Sequence, residues 1–218
     1  IEALGEEDGE LMCELFDISP EGNFEGHNIP NLLKEWPAAF AARNGMAAEA
    51  VQQRVEASRR KLFEHRERRI HPHKDDKILT SWNGFMIAAL AKGARALGEP
   101  RYAEAAAKAA AFVTGRLRRE DGRLLARYRD GEAAYEGYID DYAYLVWGLL
   151  ELYEASFEPV HLKIALKLTD DMIRLFWDEE KGGFFFSGHD GERLFTRIKE
   201  IYDGAMPSGN SVAALAMA

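Results

Sequence analysis

Asp76-Lys77-Ile78-Leu79-Thr80-Ser81-Trp82-Asn83-Gly84 and Asp203-Gly204-Ala205-Met206-Pro207-Ser208-Gly209-Asn210-Ser211 are two copies of one phrase, Asp-x-x-x-x-Ser-x-Asn-(Gly/Ser), set 127 residues apart. An apolar run at helical spacing follows each copy at once, Phe85 to Leu90 after the first and Val212 to Leu215 after the second. A polar phrase repeated at the start of repeated apolar helices brings carboxylates, hydroxyls and amides to one end of a helical array. A polar cleft can be built there.

A finer period runs underneath. Ala89 to Tyr102 recurs as Gly148 to His161 at an offset of 59, and Asp130-Gly131-Glu132 recurs as Asp190-Gly191-Glu192 at an offset of 60. Each unit reads as helix, short turn, helix and then a small hairpin, because Asp-Gly supplies the positive φ angles of a tight turn. Leu124 to Tyr128 and Phe184 to Phe186 are the expected short strands.

The apolar spacing predicts helices over 47–67, 81–97, 101–117, 141–156, 160–176 and from Ser208 onward, with a weaker pattern over 31–43 interrupted by Pro37. Residues 141–156 are apolar on nearly all sides, as in a helix surrounded by protein, whereas 160–176 carry Lys163, Lys167 and Asp170 on an outward face. Inner helices buried all round alternate with outer amphipathic ones. The expected fold is all-α, part of a toroid of helical hairpins, with small β-hairpins between the repeats. The last repeat stops half-way through a unit and residue 1 is not methionine, so residues 1–218 are expected to be a fragment of one toroid. An edge left apolar at Val212, Ala213, Leu215 and Met217 would then favour self-association.

Composition narrows the classes of function. The 218 residues are 47% hydrophobic and 30% charged, which suits a globular chain with a substantial core, and the net charge of −9 argues against a general nucleic-acid binder. No apolar run approaches the roughly 20 residues of a membrane span. The single cysteine, Cys13, excludes an intrachain disulfide framework and suits a reducing, cytoplasmic compartment. Basic residues cluster from Arg54 to Arg69, but acidic residues interleave, so this stretch reads as a solvated outer face; the alternative is a docking face for another domain.

The helix starts hold the candidate chemistry. A glycosidase needs one carboxylic acid to protonate the leaving oxygen and one carboxylate as base or nucleophile, about 5–5.5 Å apart for retention or about 6.5–9.5 Å for inversion. Asp76, Asp141 and Asp203 are the candidate catalytic carboxylates, with Asp75 and Asp140 beside them as substrate-binding groups. Trp82, Tyr138 and Tyr142 would offer aromatic faces to sugar rings, and Asn83, Ser208 and Asn210 hydrogen bonds to hydroxyls. The competing explanation is capping, since Asp140, Ser81 and Ser208 stand where N-caps stand. Carboxylates facing open space favour an enzyme; carboxylates turned into backbone N–H groups favour a scaffold. His71-Pro72-His73 beside Asp75 and Asp76 reads as an inter-helix loop rather than a metal site. Gly182-Gly183 precedes an aromatic run rather than a helix, and Gly-x-Ser-x-Gly is missing, so neither a phosphate loop nor a serine-hydrolase elbow is expected, and no cofactor.

Gly5-Glu6-Glu7-Asp8, the run from Pro20 to Gly26, the run from Asp75 to Gly84, Gly137-Tyr138-Ile139-Asp140-Asp141-Tyr142 and the run from Asp203 to Ser211 together resemble the thioredoxin-domain-containing proteins related to spermatogenesis-associated protein 20. The resemblance covers essentially the whole chain. It implies an (α/α)6 toroid of the six-hairpin glycosidase type, of which this chain would be a middle piece. It also implies an attached thioredoxin-like domain as partner, outside this chain, so no redox activity is assigned here. Two classes of function follow: a carbohydrate-active domain with a saccharide ligand, or a non-catalytic binding domain serving the thioredoxin-like one. Within the first, a sugar epimerase would need proton-transfer groups, often histidines, on both faces of the sugar carbon, and no histidine follows the repeated phrase. Hydrolysis fits better.

Overall fold

The structure is a computed structural model that describes residues 2–192 and 195–218. It divides into two units, Ile1–Lys74 and Asp75–Ala218.

In the first unit, α1 (Glu6–Leu15), α2 (Pro37–Arg43) and α3 (Ala48–Glu67) enclose a small core of Leu11, Met12, Leu15, Phe40, Ala41 and Val51. Pro37 does not interrupt a helix but begins one. Its ring fixes φ and its missing N–H falls at a position with no intrahelical partner, so residues 31–36 lie outside the helix. The basic helix α3 is answered locally, Arg54 by Asp8 at 2.9 Å and Arg59 by Glu56 at 3.1 Å. Between α1 and α2, the Asn23 side chain donates to the Ile29 carbonyl at 2.9 Å and accepts from the Ile29 N–H at 2.8 Å, closing the loop that carries Gly22 at φ +82°.

The second unit contains β1 (Ile78–Leu79), α4 (Thr80–Leu97), α5 (Pro100–Arg116), β2 (Leu125–Arg129), β3 (Glu132–Glu136), α6 (Ile139–Ser156), α7 (Pro159–Phe176) and α8 (Gly209–Met217). Helices α4 and α5 form one hairpin, stopped and restarted by Gly98 in the left-handed conformation and Pro100 at the first turn. Helices α6 and α7 form the next, with Phe157 at φ +55° and Pro159 in the same places. Helix α6 is the axis of the core: Tyr142, Tyr144, Leu145, Val146, Leu149 and Leu152 are all fully buried, as its nearly continuous apolar sequence requires.

Two glycines set the inner seam. A Cβ on Gly84 would lie 2.6 Å from the backbone of α6, and one on Gly148 would lie 2.5 Å from the Gly84 carbonyl oxygen. Only hydrogen at both positions lets α4 and α6 approach so closely. The starts of α4, α6 and α8 meet at one end, where Asp141 contacts Ser81 and Asp140 lies against Gly209.

The first Asp-Gly forms the expected hairpin, with Asp130 at φ +52° and Gly131 at φ +84° joining β2 to β3. Strand β1 adds to it in the antiparallel sheet order β1-β2-β3, a pairing the sequence did not announce. The second hairpin is not built as strands among the described residues. Phe184 makes only an isolated bridge to Trp177, because Gly182 and Gly183, both at positive φ, fold the chain back sooner. The far arm expected after Asp190-Gly191 includes 193–194, outside the described residues. Among the described residues no helix is long and apolar enough to cross a membrane.

Candidate functional site

The repeated phrase starts α4 and α8 as expected, and the structure shows what its polar groups hold. Asp141, only 4% exposed, accepts from the Ser81 N–H with Oδ1 and from the Tyr138 N–H with Oδ2, both at 2.9 Å. It therefore caps its own helix, from the third position back to the N-cap, and the neighbouring α4 as well. Burial pushes its carboxyl up to about 6, against the two backbone N–H groups that pull it down.

Asp203 accepts from the Ser208 N–H at 2.8 Å, and that bond, with the Ser211 hydroxyl, holds its carboxyl below the usual range. Ser208 is the N-cap of α8, its hydroxyl accepting from the Ser211 N–H at 3.2 Å. Asn210 bonds the N–H and C=O of Phe184 at 2.7 and 2.8 Å and the Glu200 carbonyl at 2.9 Å, which ties the long loop to α8. Asn83 donates to the Leu79 carbonyl at 2.8 Å. Asp76 pairs with Arg129 at 3.0 Å and Asp75 with Lys77 at 3.2 Å.

Several sequence expectations are corrected by these contacts. Tyr142 is no sugar-facing wall: it is fully buried, and its hydroxyl accepts from the Leu124 N–H at 3.0 Å and from Arg123 at 3.1 Å. Asn210 is wholly engaged with backbone, Asn83 donates to the Leu79 carbonyl, and Ser208 bonds the Ser211 N–H and hydroxyl. Asp141 and Asp203 stand by the starts of α6 and α8, Asp76 pairs with Arg129 on β2, and both oxygens of Asp141 are taken. Asp140 differs. It is half-buried against Gly209, and burial raises its carboxyl above the usual range while the Gly209 N–H pulls it down. Tyr144 lies near both Asp140 and Asp203, and burial together with their charge pushes its hydroxyl up to about 12. Among the described residues no group of three or more His, Cys, Asp or Glu side chains is placed to hold a metal ion.

Aromatic rings do face open space. Trp82 is 61% exposed on the first turn of α4, and Tyr138, stacked on Phe186 at 4.7 Å, stands at the N-cap of α6. Between the sheet and this start of α6 lies an open cleft of about 560 Å³, lined by Lys77, Leu79, Arg127, Arg129, Tyr135 and Tyr138 among others. Tyr135 was not singled out from the sequence. It sits inside β3 at φ +61°, a left-handed value that a bulky side chain adopts only at a cost, and its ring lies under the Arg127 guanidinium at 5.0 Å. Backbone strain of this kind gathers at ligand sites. Replacing Tyr135 by glycine is expected to stabilise the chain by about 1 kcal/mol through relief of that strain, since the exposed ring contributes little packing. A urea melt measures it; a lower midpoint would show that the ring, not the backbone, dominates.

Sequence comparison now decides the kinship. The chain is 37% identical to human spermatogenesis-associated protein 20 over 89% of its length and 35% identical to the mouse protein over 94%. The chain is a relative of spermatogenesis-associated protein 20. It spans about a quarter of those proteins, 26% of the human and 28% of the mouse sequence. An uncharacterised protein of Caenorhabditis elegans is 27% identical over 94% of the chain. No protein-family model matches. Among solved structures, a family 105 glycoside hydrolase of C. acetobutylicum superposes with a TM-score of 0.53 over 83% of this chain and 53% of its own, at 14% identity. A sugar epimerase from a ruminal bacterium superposes with a TM-score of 0.53 over 78% of this chain and 48% of its own, at 15% identity. At such identities the likeness establishes the fold, a glycosidase- and epimerase-like helical toroid, and nothing of the chemistry.

Proposed function

We propose that the helix-start end of the second unit binds a saccharide in the cleft between the three-stranded sheet and the first turn of α6. The observation that carries this reading is the pair Tyr135 and Tyr138, 67% and 41% exposed, on the lining of one open cleft. Sugar rings present C–H faces that pack on aromatic faces, while polar groups around them fix orientation. The shared fold with two carbohydrate enzymes supports the same ligand class.

Hydrolysis is a second reading, favoured by one observation. Asp140 is half-buried at the start of α6 and burial raises its carboxyl above the usual range, the direction a proton donor needs. Asp203, nearby across Tyr144, would be its companion carboxylate. Without turnover, the cleft is a recognition surface serving another domain of the longer protein, such as a thioredoxin-like one.

A thermal-shift screen of the full-length protein against mono- and oligosaccharides tests the binding reading, because a ligand that binds only the folded state raises the melting temperature. At least one saccharide is expected to do so. Tyr138→Ala should weaken it by about ten-fold, from the loss of an aromatic contact of about 1 kcal/mol or somewhat more. No shift with any saccharide would overturn the proposal. For turnover, Asp140→Asn should lower the rate by about 10²–10⁴-fold with binding retained; an unchanged rate would remove Asp140 from the chemistry.

A further inference from the structure

The cations lining the cleft are not equivalent. Arg129 is held by Asp76 at 3.0 Å and lies opposite Glu132 in the sheet register. Lys77 is held by Asp75 at 3.2 Å. Arg127 is different: among the described residues its guanidinium has no carboxylate partner, and its directly opposed residue on β3 is Ala134. A small side chain there leaves the space beside the guanidinium to the cleft. The Tyr135 ring lies under it on a strained backbone, and Leu79 is its partner on the β1 side. An arginine forks two N–H donors toward a planar or tetrahedral anion, and stacking one face on an aromatic ring leaves those edge donors free.

We infer that the saccharide taken by this cleft carries an anionic group, a carboxylate or a phosphate, bound by the Arg127 guanidinium above Tyr135. This rests on the saccharide reading and adds the class of sugar. Tyr135 then has two roles in one place: its ring orients the guanidinium, and its exposed edge meets the sugar ring. The acidic pair Asp130 and Glu132 at the turn end of the same cleft disfavours the reverse orientation, because an anion placed there would meet like charge.

Calorimetric titration of the full-length protein with glucose, galactose, glucuronate, galacturonate, glucose 6-phosphate and inorganic phosphate tests the inference. An acidic sugar is expected to bind about ten-fold more tightly than its neutral counterpart. That margin should shrink as salt is raised from about 0.05 to about 0.3 M, since the charge pair is partly open to solvent. The uronate and sugar-phosphate arms tell which anion is read. Arg127→Gln should bring the acidic sugar down to the affinity of its neutral counterpart measured on the same variant; Arg127→Lys should keep part of the preference. Equal melting temperatures of the three proteins certify the fold. Acidic and neutral sugars binding equally, neutral sugars binding better, inorganic phosphate matching the sugar phosphate, or a preference that survives Arg127→Gln would each overturn the inference while leaving saccharide binding in place. No binding by any sugar would overturn the saccharide reading itself.

Discussion

Replacing Gly148 by alanine is expected to destabilise the chain by about 3 kcal/mol, although alanine is the better helix former. The added methyl would sit 2.5 Å from the Gly84 carbonyl oxygen and 3.2 Å from Ile87. Backbone cannot rotate away as a side chain can, so α4 and α6 must part. That opens a seam between Ile87, Ala88 and Ala91 on one helix and Leu145 and Leu149 on the other, all of them buried. Domains of this size are stable by only about 5–15 kcal/mol, so the loss is a large fraction. Gly115→Ala in α5 is the matching control: nothing lies within 4 Å of its Cβ position, and helix propensity alone should stabilise it by about 0.5–1 kcal/mol. Urea denaturation reads both, with midpoints moving in opposite directions. A Gly148→Ala midpoint at or above the parent's would show that the inner helices do not pack as described.

Asp141→Ala is expected to cost about 3 kcal/mol at neutral pH, because it strips the acceptor from two backbone N–H groups in a buried place. Asparagine supplies one acceptor for two donors and should recover only part of that loss. The same residue makes a pH prediction. Its folded carboxyl lies near 6, above the 3.8 of an ordinary aspartate, and burial is the main cause. The folded chain therefore holds the proton more tightly than the unfolded one, so the stability linked to that proton is complete below about 3.8 and is lost as pH rises through about 6. The advantage of the parent over Asp141→Asn should shrink by on the order of 3 kcal/mol between pH 4 and pH 7. Paired melts at the two pH values measure this. An advantage that grows with pH would mean that the two N–H groups stabilise the anion by more than burial costs.

The helices were legible because their signals are local. Apolar spacing, Pro100 and Pro159 at first turns and Gly98 at a C-cap put α3 to α7 within two residues of their observed bounds, whereas α1 was not anticipated. The repeat was legible too, and its meaning is structural: the 60-residue step from Ser81 to Asp141 is spanned by a hydrogen bond. The site was harder. A repeated Asp-x-x-x-x-Ser-x-Asn phrase looks the same whether its groups face a ligand or a backbone, and only coordinates show Asn210 wrapped around Phe184 and Asp141 bridging two helix starts. Tyr142 and Tyr138 differ by four residues and share a residue type; burial alone separates core from cleft. Arg127 and Tyr135 were passed over because β1 joins their hairpin from a distant part of the chain. The Asp130-Gly131 turn that places them was visible, and it was the signal from which they could have been found.

The central claim, a saccharide site between the sheet and the start of α6, is tested most directly by backbone amide NMR shifts during titration with the best saccharide from the thermal screen. Shifts concentrated in residues 77–82 and 125–141, with Tyr135 and Tyr138 among the largest, are the expected result. A saccharide that binds with its shifts elsewhere, or leaves those two segments unmoved at saturation, would contradict it.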